Sequence, residues 1–383
     1  MYKRQSLNDK NGLLYSSISA VTEVGDEKIE GDYYIWKKNN LKEILGKNYE
    51  LFEDYYNVNK VGVWEKDKYV LKRERDDNFF IEKYNISKNQ LESKIKESIK
   101  ILKKSRENRL KPIVDDKFVT SWNALSVIGL SDAYQSTGDN KFLDKALEII
   151  SAVEKNLVKK NLIVDRSLSG SNESILFLED YSFLISAYLS LYQSTFNYDF
   201  IDRADELAKK TLSLFSHEES PFLRFSTDQS LFFSNDLFVN QDGVMPSPNS
   251  VMCENLFLLS HHTGNRKYYQ TGKLMIDAMA NDIIDNTLDH MNWLNVSLDY
   301  NDKFFEVVVS GKKSYKMANE ISSKYFPNIL IAASKKDSDK YLLKNRYNKG
   351  ETLIYVCVNN TCKFPVNNVN EALKLITKKD EKI

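Results

Sequence analysis

Three cysteines, four histidines and no excess of either charge leave this 383-residue chain poor in the residues that most often announce a chemistry. The cysteines make no metal set. Cys253 stands in an apolar helical stretch and reads as core. Cys357 and Cys362 flank Val358-Asn359-Asn360-Thr361, a strand end and turn, and this is not the Cys-x-x-Cys of thioredoxins; a redox pair stays open as a reading. Lys and Arg number 54 against 54 Asp and Glu, so no polyanion partner is implied. Lys94, Lys96, Lys100, Lys103 and Lys104 cluster on a helix with Ile95, Ile99 and Leu102, which reads as a solvated outer face. No run reaches the roughly 18 apolar residues of a membrane span. Gly311 alone after a strand is too little for a nucleotide loop. No cofactor, metal, nucleic acid or membrane partner is expected, and the expected location is cytoplasmic. With 42% hydrophobic residues, the chain can bury a large core, as one main domain plus a smaller one.

What is present is a repeat. Tyr134-Gln135-Ser136-Thr137 recurs as Tyr192-Gln193-Ser194-Thr195, and the surrounding pattern occurs a third time, ending at Thr263. An apolar helix precedes each threonine (124–134, 183–192, 251–259), then come a polar turn and an amphipathic helix, such as that bearing Phe142, Ala146, Ile149 and Val153. Each unit is a helical hairpin whose first helix is the more buried. The threonines are 58 and 68 residues apart, longer than the roughly 33 to 47 of common open helical repeats. The spacing points to a closed toroid of inner and outer helices, with long connectors at one rim. Inner helices would start at that rim and their N-terminal residues would converge on the axis.

Three constellations occupy the rim: Asp115-Asp116-Lys117 through Ser121-Trp122-Asn123, Phe177-Leu178-Glu179-Asp180-Tyr181, and Pro246-Ser247-Pro248-Asn249-Ser250. Asn123, Tyr181 and Asn249 are equivalent, each 14 residues before its threonine. Acids, amides, an indole and a phenol at one axis suit a sugar or polyol. Asp116 and Asp180, from different hairpins, are the expected acid and base. Asp115, Trp122, Asn123, Glu179, Tyr181, Asn249 and Ser250 are the expected substrate contacts, Trp122 by stacking; Glu179 is also read as a helix cap. The plainer alternative is capping: Ser247 with Pro248, Thr120, Ser121 and Asp180 all suit helix N-termini. His261 and His262 fall at the far end of an inner helix, and His217 and His290 near the ends of outer helices, so none is chosen.

These motifs, in order with Glu30-Gly31-Asp32-Tyr33-Tyr34-Ile35-Trp36 before them and Val356-Cys357 through Cys362-Lys363-Phe364-Pro365-Val366 after, resemble the spermatogenesis-associated protein 20 family, also called thioredoxin domain-containing proteins. The resemblance runs from about Leu13 to Leu375. It implies a mainly α fold, an incomplete (α/α)6 toroid of helical hairpins related to six-hairpin glycosidases and N-acylglucosamine 2-epimerases, with a small C-terminal α/β segment. It also implies that a thioredoxin-like domain precedes the toroid in the full-length protein. Ala124 and Pro248 stand where the family has glycines, and Pro248 stiffens the backbone there.

Residues 1–5, Met1-Tyr2-Lys3-Arg4-Gln5, match what a sequencing-library adapter encodes in frame from a GTG start and are expected to be a non-native scar. Residues 6–300 are expected to form the partial toroid, with a β-hairpin near 13–36 and a fourth hairpin over 41–110; the absent first hairpins would leave an open gap. Residues 301–383 read as the α/β appendage, with strands at 304–310, 329–333 and 352–358 and a helix ending at Tyr325. Two functions follow: a carbohydrate-acting or carbohydrate-binding protein, glycosidase-like or epimerase-like, or a non-catalytic scaffold that partners a thioredoxin-like redox domain. Rim acids spent on Lys117, Arg166 or caps would favour the scaffold.

Overall fold

A computed structural model describes residues 9–24, 27–59, 61–168, 175–227, 237–358 and 361–377. The expected scar at residues 1–5 lies outside the described residues. Contacts divide the chain into two compact units, Tyr15–Asp116 and a larger one comprising Met1–Leu14 and Lys117–Ile383. This division falls elsewhere than the boundaries read from sequence: the 41–110 segment has its own core, and residues 301–383 pack within the larger unit.

The smaller unit begins with short strands. After β1 (Ser17–Ile18) come the antiparallel pair β2 (Val21–Val24) and β3 (Glu27–Glu30), then β4 (Trp36–Lys37), β5 (Val63–Glu65), β6 (Lys68–Tyr69) and β7 (Val114–Asp115), with β7 returning to pair with β1. Tyr33 and Trp36 are buried here by packing: Arg109 Nη1 donates to the carbonyls of Asp32, Tyr33 and Ile35 and its guanidinium lies 3.9 Å from the Trp36 ring centroid. Helices α1 (Lys38–Leu45), α2 (Tyr49–Tyr55), α3 (Asp77–Tyr84) and α4 (Lys88–Glu107) close over Leu41, Phe52, Phe80 and Leu91. The clustered Lys94, Lys96, Lys100, Lys103 and Lys104 of α4 are all exposed, as its pattern requires.

The larger unit is built from the three hairpins. They are α5 (Thr120–Thr137) with α6 (Asn140–Asn156), α7 (Leu178–Thr195) with α8 (Asp199–Phe215), and α9 (Pro248–Thr263) with α10 (Arg266–Asp285). Between the first two lies a small ribbon, β8 (Val158–Lys159) and β9 (Ile163–Val164), and α11 (Met291–Asn301) follows the third. One device explains the repeated residues at each hairpin turn. The hydroxyls of Thr137, Thr195 and Thr263 donate to the carbonyls of Ala133, Leu191 and Leu259 and accept from the amides of Asp139, Asn197 and Asn265. The intervening residue is left-handed, Gly138 at φ 69° and Gly264 at φ 70°, so the first helix stops there. Phe196 takes that conformation at φ 55° without glycine's freedom, a local cost of about 1 kcal/mol. Asp139, Asn197 and Asn265 then accept from the first amides of the outer helices.

The inner helices α5, α7 and α9 lie side by side and run the same way. Ser121 bonds Asp180 at one end of the α5–α7 pair and Gln135 bonds Ser194 at the other; Asn255 bonds Ser182 near the start of the next pair, and Tyr192 meets His262 near its end. Outer helices bury one stripe, Ala146, Ile149 and Val153 in α6, whereas α7 is buried on most sides. This inner-and-outer order is that of an α/α toroid segment. The C-terminal segment is α/β as expected: β10 (Phe305–Ser310), α12 (Ser314–Ser322) and β11 (Ile329–Ser334) form a parallel crossover, β12 (Leu353–Val358) and β13 (Thr361–Cys362) extend the sheet antiparallel, and α13 (Val369–Thr377) covers it. The sheet docks on α7 through Gln193, whose Nε2 donates to the Ile331 carbonyl.

Candidate functional site

The three equivalent rim residues share one task, the bracing of a connector. Asn123 Oδ1 accepts from the Leu14 amide and its Nδ2 donates to the Leu14 and Val119 carbonyls. Asn249 repeats this, accepting from the Leu223 amide and donating to the Leu223 and Val239 carbonyls. Tyr181 does the same with one atom: its hydroxyl accepts from Val164 N–H and donates to Leu162 C=O. All three are buried, and each fastens a connector to the start of an inner helix. Their expected role as hydroxyl contacts gives way to main-chain bracing, because their donors and acceptors are already used.

Asp180 is fully buried at the start of α7, but its Oδ1 reaches back to accept from Ser121 N–H at 2.9 Å and so caps α5. Arg166 lies 3.5 Å from its Oδ2 and 3.6 Å from Glu179 Oε1. Burial raises the Asp180 carboxyl to about 7, against the lowering effect of Arg166 and the Ser121 amide. Glu179, read from sequence as a cap, instead accepts from the Ser121 hydroxyl at 2.7 Å. Asp116 and Asp115 belong to the smaller unit, Asp116 exposed and Asp115 in β7, so the expected Asp116–Asp180 pair is not assembled within one unit. Ser250 is held among Ser247, Asp242 and Asn292. Trp122 is exposed and available to stack. Asp180→Ala should cost about 2 kcal/mol by leaving the Ser121 amide buried without an acceptor, whereas Asp180→Asn, which keeps an acceptor, should stay within about 1 kcal/mol; urea unfolding of both variants checks this.

A cavity of about 420 Å³ is lined by residues of all three inner helices, where the repeat again sets equivalent positions. Leu125, Phe183 and Val251 line it 12 residues before their threonines, and Ile128, Ser186 and Glu254 nine before. Phe304 and Phe326 add apolar surface, and the amides of Gln135, Gln193, Asn255 and Asn292 also line it, bonded in turn to Ser194, Ile331, Ser182 and Ser250. Three acids line it, Asp132 from α5, Glu254 from α9 and Asp299 from α11, and so does the cation Lys324. Burial raises all three carboxyls, Asp299 to about 7 with a further push from the Glu254 charge. Among the described residues neither Glu254 nor Asp299 has a hydrogen-bond donor or an ion-pair cation as partner. Sequence reasoning missed this pair. Glu254 sits where the other repeats have Ile128 and Ser186, and Asp299 lies beyond the repeats, so its only signal was the one charged residue of its helix. His262 is buried against Tyr192 and pushed down to about 3, hence neutral. Among the described residues no three His, Cys, Asp or Glu side chains cluster to hold a metal ion, and no helix is long and apolar enough to cross a membrane.

No family model matches the chain. Among solved structures it is similar to the GH76 α-mannanase BT2949 of Bacteroides thetaiotaomicron, at 14% identity and TM-score 0.40 over 61% of this chain and 68% of that one. It is also similar to cellobiose 2-epimerase from Bacillus thermoamylovorans B4167, at 14% identity and TM-score 0.34 over 73% and 68%. An uncharacterized Caenorhabditis elegans protein is 29% identical over 283 residues, 67% of this chain and 38% of that protein. Human spermatogenesis-associated protein 20 is 20% identical over 98% of this chain and 53% of its own length, and the rat protein 21% identical over the same shares. The chain thus spans about half the length of the spermatogenesis-associated protein 20 sequences it matches. With the motif order, the hairpin architecture and this end-to-end similarity together, the chain is a homologue of spermatogenesis-associated protein 20.

Proposed function

We propose that this chain is part of a carbohydrate-acting or carbohydrate-binding protein of the six-hairpin class, located in the cytoplasm, and that its sugar or polyol sits in the cavity along the inner helices. The observation that carries the reading is the Glu254 and Asp299 pair: two carboxylates from separate elements line one cavity, neither in an ion pair with the Lys324 that also lines it, and one of them is raised to about 7. Such a pair holds one proton near neutral pH, so one member can donate while the other accepts. Carboxylates match paired hydroxyls, and Phe183, Phe304 and Phe326 offer ring faces to a pyranose. Acid and base are thereby reassigned from Asp116 and Asp180 to the cavity pair.

The scaffold reading has its own support at the rim. Asp180 caps α5 and, with Glu179, pairs with Arg166, as expected of a rim built for shape. In that reading the toroid segment presents a surface to a thioredoxin-like domain. A thermal-shift screen with mono- and disaccharides separates the two: a sugar at about 100 times its dissociation constant adds roughly 2.7 kcal/mol of stability. The expected result is a shift in the wild-type chain that the double variant Glu254→Gln with Asp299→Asn loses while still melting cooperatively. No shift with any sugar would leave the scaffold.

A further inference from the structure

The C-terminal sheet holds a second chemistry, independent of the cavity reading. Cys357, buried on β12, and Cys362, exposed on β13, are register partners joined by a disulfide across five positions of sequence. Arg346, half-buried in the segment between β11 and β12, places Nη1 3.5 Å from Cys357 Sγ and Nη2 3.4 Å from Cys362 Sγ. Among the described residues no carboxylate forms an ion pair with this guanidinium. The other charged or titratable groups nearby are Glu306, Tyr355, Tyr341, Tyr198 and Lys363. Glu306 on β10 is the register partner of Cys357 and is bound to His261 Nδ1 at 2.8 Å; the Tyr355 hydroxyl donates to the Arg346 carbonyl.

Neutral disulfide sulfurs are weak acceptors, so a guanidinium in reach of both gains little from the oxidised state. It gains much more from a thiolate, since a neighbouring cation lowers a thiol's pKa and stabilises the reduced form. We propose that Cys357 and Cys362 form a reversible dithiol–disulfide couple that exchanges with an external dithiol, with Arg346 as the residue that stabilises the thiolates. The partner's thiolate attacks the exposed Cys362 Sγ. The sulfur–sulfur bond breaks, its electron pair leaves on Cys357 as a thiolate beside Arg346, and a mixed disulfide remains on Cys362. The partner's second thiolate attacks its own sulfur in that mixed disulfide and releases Cys362. The chain gains two electrons, the partner becomes a disulfide, and the two thiol protons pass to solvent or to the cysteines. In the reduced chain Glu306 opposes a charge on Cys357, so Cys362 is the resting nucleophile.

The test equilibrates the chain in glutathione redox buffers, counts reduced cysteines by mass spectrometry after alkylation, and follows the rate of Cys362 alkylation against pH. Cys253 does not interfere, because burial pushes its thiol up. Reduction by glutathione is expected, with a Cys362 midpoint below the free-thiol value of about 8.5. Arg346→Met should slow alkylation at pH 7 about tenfold, one pKa unit, while Arg346→Lys retains most of the rate. A disulfide that resists glutathione, or a wild-type midpoint at or above about 8.5, would overturn the proposal without recourse to any variant. So would an unchanged rate in a folded Arg346→Met chain, which would leave the disulfide as a staple of the hairpin.

Discussion

Asn249→Ala should lower the melting temperature by roughly 6 to 12 °C. The side chain is fully buried and holds the Leu223 amide and the Leu223 and Val239 carbonyls. Truncation leaves these main-chain groups without partners, at about 3 kcal/mol in total, and each kcal/mol is worth about 2–4 °C in a unit of this size. Asn249→Asp should cost nearly as much, since a carboxylate can accept from Leu223 N–H but cannot donate to either carbonyl. Asn123→Ala, which releases Leu14 in the same way, should behave alike. A calorimetric melt decides the matter: a residue that only touched ligand would leave the melting temperature of the free chain unchanged.

Acid should stabilise this protein, and Asp299 is the main reason within the cavity. Its carboxyl is raised from 3.8 to about 7, by burial first and by the Glu254 charge second. Between those values the folded chain holds a proton that the unfolded chain has released, so raising the pH favours unfolding. Stability is therefore fully present below pH 3.8, falls as pH rises to about 7, and is level above it. At about 1.36 kcal/mol per unit the shift bounds the loss near 4 kcal/mol, and water reaching the carboxyl brings it to about 2. Asp299→Asn should match wild type below pH 3.8 and exceed it by about 2 kcal/mol at pH 8 in urea unfolding. Asp180, also raised to about 7, adds a slope of the same sign, which persists in the Asp299→Asn chain.

The repeat was legible in sequence because its turns are made by local bonds. Thr137, Thr195 and Thr263 each bond four residues back and two residues ahead, so the same residue types recur wherever a hairpin turns. The equivalence of Asn123, Tyr181 and Asn249 was legible for the same reason, but their task was not. An amide that braces a connector and one that binds a sugar hydroxyl look identical in sequence; only Leu14, Leu162, Val164 and Leu223, brought in by the fold, distinguish them. Asp180 misled similarly, since it caps the neighbouring helix through a contact 59 residues away. Glu254 and Asp299 were illegible because neither follows the repeat: the equivalents of Glu254 are Ile128 and Ser186, and α11 has no equivalent among the inner helices. The α/β segment, by contrast, announced itself through continuous apolar strands, as a parallel pair buried on both faces requires.

The most direct test of the cavity pair is a carbon-13 NMR titration of the aspartate carboxyls in wild-type and Glu254→Gln chains, with Asp299 assigned by its loss in Asp299→Asn. The expected result is an Asp299 midpoint near 7 that falls when Glu254 loses its charge. A midpoint at the ordinary value of about 4, unmoved by Glu254→Gln, would contradict a coupled pair and with it the assignment of acid and base to this cavity.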